Sequence, residues 1–262
     1  MKPNKLRRLL REDKPTIGTR IVSAWPTIVE IVGHTGIFDY VEFSAEYAPF
    51  DLYDLDNLCR AAELYDLGTM IKVDQEPRLF LPQRAIGAGF QSVLFADCRS
   101  ADDVRYCVKA VRPETPEAGG VHGSAMRRWA LMGYGGGPAY VEALQDIVVA
   151  IMIEKKGTVD ELDEILAIPG VDMLQWGPSD YSLSIGRPGA ARDPDIRAIE
   201  RRLIESCQKA GVAPRVEINT PDQAKYYLDL GVRHFNLGID IRILYEWLRS
   251  NGETLRKAVE GV

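Results

Sequence analysis

The sequence predicts a single (β/α)₈ barrel, and three observations carry that expectation. Short apolar runs alternate with amphipathic stretches from end to end, the pattern of parallel strands joined by crossover helices. Eight such runs can be traced. The chain has 262 residues, and one barrel of this kind takes about 250. Residues 1–262 are therefore expected to form one domain, with no linker, repeat or low-complexity segment. A doubly wound sheet is the alternative, though it seldom uses eight units.

The elements follow in order. Residues 16–22 read as the first strand, and Pro26 opens a helix to about residue 33, proline being pre-set for a first helical turn. A second strand spans 40–44, followed by a helix over 52–66. Residues 69–73 form the third strand, with a helix over 78–86 stopped by Gly87 and Gly89. The fourth strand is 92–97. Ser100 then caps a helix whose Asp102 and Asp103 suit its positive end. Strands five to eight are 147–153, 173–176, 215–218 and 234–237, with helices starting near Val159, Pro194, Pro221 and Ile241. Thr158 with Glu161 and Thr220 with Gln223 fit the capping-box spacing. Only residues 113–138 break the rhythm; this Gly-rich stretch is too long for an ordinary connection and is expected to be a functional loop.

Composition excludes several functions. The chain is 46% hydrophobic and 27% charged, with a net charge of −6 and scattered cations, so no nucleic-acid footprint is expected. Cys59, Cys98, Cys107 and Cys207 contain no CxxC pair, which argues against a disulfide framework and a thiolate zinc site. His34, His122 and His234 are too few and too scattered for a three-histidine site of neighbouring residues, so any metal must rest on oxygen ligands. Residues 1–14 are basic but have no apolar segment behind them, unlike a secretory signal. The longest apolar run, 147–153, has seven residues, too short for a membrane span. A cytoplasmic location is the default expectation. Tyr134 with Gly135-Gly136-Gly137 lacks phosphate-loop spacing, so no nucleotide is expected.

In a barrel, reactive groups gather at the C-terminal ends of the strands. Polar residues expected there are Ser44, Glu46, Tyr47, Lys72, Asp74, Asp97, Arg99, Glu154, Asp180, Arg215, Glu217 and Asp240. Glu154 stands out, because it ends an apolar run where a carboxylate is costly unless paired or bound to metal. Asp180 follows Gly177-Pro178, a turn that lets backbone approach a ligand. Two carboxylates on adjacent strand ends suit Mg²⁺ or Mn²⁺ with several retained waters. A plainer reading pairs Glu154 with a neighbouring cation and makes Asp180 a helix cap.

These residues also carry a resemblance. Ala45-Glu46-Tyr47-Ala48-Pro49, followed by Asp51-Leu52, resembles the Asp-Gly-Glu-His-Ala-Pro motif of the HpcH/HpaI aldolase/citrate lyase family of metal-dependent pyruvate aldolases. Met152-Ile153-Glu154 is similar to that family's Gln-Val-Glu metal segment. Gly177-Pro178-Ser179-Asp180-Tyr181-Ser182 with Gly186 is similar to its Gly-Pro-Ala-Asp-Leu-Ser motif, the most specific of the matches. Ile17-Gly18-Thr19, Gly87-Ala88-Gly89 and Gly238-Ile239-Asp240 fall in the family's order, so the likeness runs from about residue 6 to 248. It implies a barrel whose last helix is exchanged between subunits, in a hexamer built from dimers. It also implies that Glu154 and Asp180 hold Mg²⁺ or Mn²⁺ (Co²⁺ being a further candidate). A small anionic 2-oxo acid such as pyruvate would then react through its enolate beside Gly177, Pro178 and Ser179.

The departures concentrate in the proton-transfer machinery. Tyr47 replaces the family's catalytic His, Ser44 an Asp and Arg99 another Asp, with Asp97 close by. Lys72 replaces a substrate-binding Arg, keeping the charge but losing the bidentate fork. Met152 replaces a Gln, and Glu217 a usually apolar pocket residue. Tyr47, Glu217 or metal-bound water is expected to move the proton; His122 of the Gly-rich loop is a candidate substitute base, or else a solvated loop residue. Lys72 is expected to bind a carboxylate, with nucleophilic or general-base chemistry as the alternative. A metal- or 2-oxo acid-binding protein with little turnover is a third reading. Trp176 is read as a pocket wall or a core residue. Arg127, Arg128 and Trp129 are read as a lid or a subunit contact, and His34 and His234 as structural.

Overall fold

The computed structural model describes residues 1–124, 128 and 132–261. Eight strands, β1 (Thr16–Ile21), β2 (Tyr40–Ser44), β3 (Gly68–Val73), β4 (Ser92–Phe95), β5 (Val148–Ile153), β6 (Met173–Trp176), β7 (Ala213–Ile218) and β8 (His234–Ile239), close into one parallel barrel in sequence order. The barrel closes where β8 meets β1, through Thr16↔His234 and Ile17↔Phe235. Around it lie α1 (Lys5–Arg11), α2 (Pro26–His34), α3 (Leu52–Leu64), α4 (Phe80–Ala88), α5 (Ala101–Val111) and α6 (Pro138–Gln145). The second half adds α7 (Lys156–Asp160), α8 (Leu162–Leu166), α9 (Pro178–Ser184), α10 (Pro194–Ala210), α11 (Ala224–Asp229) and α12 (Asp240–Glu260).

The strands are apolar on both faces because each is covered twice, by helices outside and by packed side chains inside. Every residue of β5 is buried. Inside, Tyr40, Met70, Leu94, Val148 and Met173 fill the lower barrel, and Leu6 of α1 closes it from below. Gly18 is required here, since a Cβ would stand 2.3 Å from the Tyr40 ring.

Several local expectations change. The fourth strand ends at Phe95, because Asp97 takes a left-handed backbone with φ +56°. The helix expected from residue 78 begins at Phe80, because Arg78 turns inward onto the Cys98 and Cys107 sulfurs at 3.1 and 3.0 Å. Thr158 and Glu161 do not form their capping box. The Thr158 hydroxyl donates to the Lys155 carbonyl at 2.9 Å, while Glu161 accepts the Ala101 N–H at the start of α5. Thr220 and Gln223 do form theirs, on the 3₁₀ turn Pro221–Gln223. The α1 helix was not expected; Asn4 caps it by accepting the Arg7 N–H at 3.0 Å.

The Gly-rich stretch connects α5 to α6, so it begins where a helix ends and not where a strand does. Its described residues pack against the outer ring: the Val121 N–H donates to Lys109, and the Arg128 N–H to Gly87. Arg128 also grips Glu63 of α3 at 2.8 Å. Arg127 and Trp129 lie outside the described residues. Among the described residues no helix is long and apolar enough to cross a membrane.

Candidate active site

At the C-terminal end of the barrel the lining side chains turn from apolar to charged. They divide into two groups. The first spans the lumen from β2 to β7 and β8. Arg215 and Glu42 form an ion pair with no solvent exposure on either side chain. Arg215 also donates to the Tyr40 hydroxyl at 2.8 Å and to the Gln175 side-chain oxygen. Asn236 and Ser44 donate to Glu42 at 3.0 and 3.2 Å. Burial works against the Arg215 charge, but Glu42 outweighs it and holds the guanidinium above its ordinary value. Such a network fixes geometry, because Arg215 and both Glu42 oxygens are already committed. Ser44, read as a lost acid–base residue, belongs to it.

The second group sits higher, on β3 to β6. Lys72 points up from β3, its ammonium 2.5 Å from Glu46 and 3.0 Å from the Tyr47 hydroxyl, which accepts from it. Burial opposes the Lys72 charge, yet the hydrogen bonds to Glu46 and Tyr47 win and hold its pKa above the lysine range. A lysine kept charged in this way is a poor nucleophile and a poor base, which disfavours the alternative chemistry for Lys72. Partial burial also raises the Tyr47 phenol, so it stays protonated at neutral pH.

Glu154 lies just past β5 and is 2% exposed. One carboxylate oxygen accepts the Asp97 N–H at 2.7 Å, which is why Asp97 adopts its left-handed backbone here. Gly177 passes so close that a Cβ would stand 2.6 Å from the other oxygen. Burial, despite the Asp97 N–H, pushes Glu154 up to about 7, and the charges of Asp180 and Asp97 add to the rise. Asp180, in the first turn of α9, has a side chain 46% exposed. The Lys155 ammonium reaches Asp97 at 2.5 Å and Asp180 at 3.6 Å.

A divalent cation fits this donor set. Among the described residues no three His, Cys, Asp or Glu side chains converge as a ready-made cage. Two carboxylates with room for waters and a chelating substrate are what Mg²⁺ or Mn²⁺ takes. The raised Glu154, crowded by two further carboxylates, is a group that a cation would return to its ionised form.

Other expected residues are placed differently. Glu217 on β7 does not meet Lys72; it pairs with Arg20 at 2.8 Å and accepts from Gln175 at 2.7 Å. His122 is buried beside Tyr140, and its backbone bonds to Arg112 at the end of α5, so it belongs to the outer ring and not to the mouth. Its burial also removes the solvated-loop reading. Trp176 is both core residue and wall: it stacks at 5.0 Å on Tyr181 in the outer core and also lines a cavity of about 360 Å³ beside Pro178 and Ser179. Ser179 is exposed on α9. Asp240 accepts the N–H groups of Val22 and Ser23 and pins the loop after β1. His34 and His234 bond to Tyr65 and Thr16 at 3.0 Å, far from the mouth. Sequence reasoning missed Arg20 and Lys155. Arg20 sits inside a strand whose alternation marks its inward face, the signal that could have found it. Lys155 offers no such signal.

Comparison with known proteins fits this geometry. Over residues 18–246 the chain matches the HpcH/HpaI aldolase/citrate lyase family. It is 28% identical over 243 residues to a hydroxypyruvate/pyruvate aldolase of Paraburkholderia phytofirmans, covering 91% of this chain and 92% of that one. It is also 28% identical over 240 residues to a 2-keto-3-deoxy-L-rhamnonate aldolase of Escherichia coli, covering 90% and 87%. Among solved structures, an HpcH/HpaI aldolase/citrate lyase family protein from Burkholderia cenocepacia superposes with a TM-score of 0.86 at 30% identity, covering 97% and 99%. With strand order, mouth carboxylates and sequence all in agreement, the chain belongs to the HpcH/HpaI aldolase/citrate lyase family.

Proposed function

We propose that the chain is a divalent-metal-dependent carbon–carbon lyase that makes or cleaves a bond through the enolate of a small 2-oxo acid such as pyruvate. The observation that supports this reading is the buried Glu154 at the end of β5, which accepts the Asp97 N–H, with Lys155 linking Asp97 to Asp180 across the same mouth. The aldolase names of its relatives support it. Glu154 and Asp180 would hold Mg²⁺ or Mn²⁺, with Co²⁺ as a substitute; when bound, the cation polarises the oxo-acid carbonyl and stabilises negative charge at that oxygen.

The chain's own residues do the rest. Lys72, held charged by Glu46, answers the substrate carboxylate or the developing oxyanion. Gly177, Pro178 and Ser179 form the wall on which the acid rests. Tyr47 accepts from Lys72 and its own O–H bonds to Glu46; on this reading that O–H turns to donate to the alkoxide formed in the condensation direction. Neither Glu217 nor His122 takes that role, since Glu217 is fixed by Arg20 and His122 lies in the outer ring.

The wider expectations become proposals with it. On α12, Ile241, Ile243, Leu244, Trp247 and Leu248 are each more than half exposed, an apolar face that supports exchange of this helix within dimers of a hexamer. Mass photometry should then give a hexamer, and removal of residues 240–262 should give monomers.

The catalytic reading is tested by NMR of pyruvate in deuterated water. Methyl-proton exchange is expected with Mg²⁺, Mn²⁺ or Co²⁺ and is expected to vanish with a chelator and in Glu154→Gln. Metal and pyruvate binding without any exchange would favour the low-turnover binding protein.

A further inference from the structure

We infer that Cys98 and Cys107 form a dithiol that a hydroperoxide oxidises to a disulfide, with Arg78 readying one sulfur for attack. Closure of that bond loosens the turn at Asp97 that supports Glu154. This chemistry lies outside the lyase reading and does not depend on it.

The two sulfurs stand 3.7 Å apart, Cys98 on the turn after β4 and Cys107 within α5. Arg78 sets one guanidinium nitrogen against both, 3.1 Å from Cys98 and 3.0 Å from Cys107. Its side chain is 4% exposed, yet the carboxylate oxygens facing it, of Glu76 and Asp103, stand off at 3.7 and 3.8 Å. A guanidinium buried this deeply is costly without a close negative partner. One sulfur as thiolate supplies that charge, while the other, still a thiol, donates to it. Cys98 is the thiolate. The Cys107 hydrogen bond and the Arg78 charge hold it below the ordinary thiol range, whereas burial pushes Cys107 above that range. Cys59 and Cys207 are buried too, but for them burial prevails and raises both thiols, so they serve as internal controls.

The oxidation balances as two steps. The Cys98 thiolate attacks a peroxide oxygen, the O–O bond breaks, and hydroxide leaves to take a proton from solvent. Cys98 is then a sulfenic acid. The Cys107 sulfur attacks that of Cys98, the S–S bond forms, the S–O bond breaks, and the hydroxide departs with the Cys107 proton as water. Two electrons pass from the thiols to the peroxide, which ends as two waters. Arg78 belongs to the short segment between β3 and α4, and its partner Glu76 has a side chain 72% exposed. A small shift of that segment therefore admits a small oxidant.

A disulfide needs its sulfurs about 2 Å apart, so the pair must close up. Cys107 is fixed in a helix with a buried face, and the turn that carries Cys98 moves instead. Arg78 also donates to the Asp97 carbonyl at 3.4 Å, and the Asp97 N–H is the one that Glu154 accepts. Closure thus draws on the hydrogen bond that holds Glu154.

The test treats the reduced full-length protein with hydrogen peroxide, blocks the remaining thiols with N-ethylmaleimide and maps the peptides by mass spectrometry. A Cys98–Cys107 link is expected, reversed by dithiothreitol, with Cys59 and Cys207 still blocked as thiols. Hydrogen–deuterium exchange at the Asp97 amide is expected to be about threefold faster in the disulfide form. Arg78→Met, its folding checked by circular dichroism, is expected to form the link about tenfold more slowly. Cys107→Ser is expected to stop at a sulfenic acid on Cys98, trapped by dimedone, and serves if Arg78→Met does not fold. Absence of the link, earlier oxidation of Cys59 or Cys207, or an unchanged rate in folded Arg78→Met would overturn the inference. So would Cys107→Ser without dimedone on Cys98, or unchanged Asp97 exchange in the disulfide form.

Discussion

The two ends of the barrel are both charged, yet they are built to opposite ends. At the N-terminal face every cation with a structural role is spent. Arg7 of α1 holds both oxygens of Asp172 at 2.6 and 2.7 Å and donates to the Asp146 and Ile147 carbonyls. Arg11 pairs with Asp146 at 2.7 Å, and Arg233 with Asp13 at 2.8 Å. A cavity of about 410 Å³ lies here, larger than the one at the mouth, but it is lined by these committed groups. At the C-terminal face, carboxylates outnumber the cation beside them: Lys155 is shared between Asp97 and Asp180, and Glu154 is pushed up to about 7. Size does not mark the functional end. Unbalanced charge sets the C-terminal end apart, which is what the proposed cation site requires.

Changes at the two ends should therefore read out differently. The largest effect on stability is expected from Leu6→Ala, which opens a hole in the plug that α1 makes; chemical denaturation should show a loss of about 2–5 kcal/mol. Pyruvate exchange by the folded fraction should be unchanged. At the mouth, Tyr47→Phe is expected to slow condensation about a hundredfold, the usual scale for a missing acid, while Mn²⁺ binding is kept. Lys155→Met should act in the reverse sense and tighten Mn²⁺ binding about tenfold by removing a competing positive charge.

The smallest effect is a pH dependence. Glu154 has a folded pKa of about 7 against an ordinary value of 4.5, so its protonated form favours the fold. Its contribution is fully present below pH 4.5 and is lost as the pH rises through about 7. The melting temperature of metal-free protein should accordingly fall by a few degrees across that window. Mg²⁺ should raise it more at pH 8 than at pH 5. Glu154→Gln should flatten both trends.

Much of this was legible in the sequence. The strands were found because parallel strands buried on both faces give continuous apolar runs, and β2 and β6 match their expected bounds. Glu154 and Asp180 were legible for the same reason, as carboxylates stranded at the ends of such runs. The plug was missed because α1 carries Arg7, Arg8 and Arg11, which hide the buried Leu6 and Leu9 in a basic segment. Partnership was harder still. Nothing in the order of residues says that Glu217 would meet Arg20 across a third strand and not Lys72. The placement of His122 failed on topology, since a loop that follows a helix starts at the other end of the barrel from one that follows a strand.

On the proposed function, Glu154 and Asp180 at the open end bind a divalent cation. Electron paramagnetic resonance titration with Mn²⁺ tests it most directly, because free and bound Mn²⁺ are counted without any turnover. One Mn²⁺ per chain is expected in wild type, displaced by Mg²⁺ and lost in both Glu154→Gln and Asp180→Asn. Undiminished Mn²⁺ binding in those folded variants, or none in wild type, would contradict the claim.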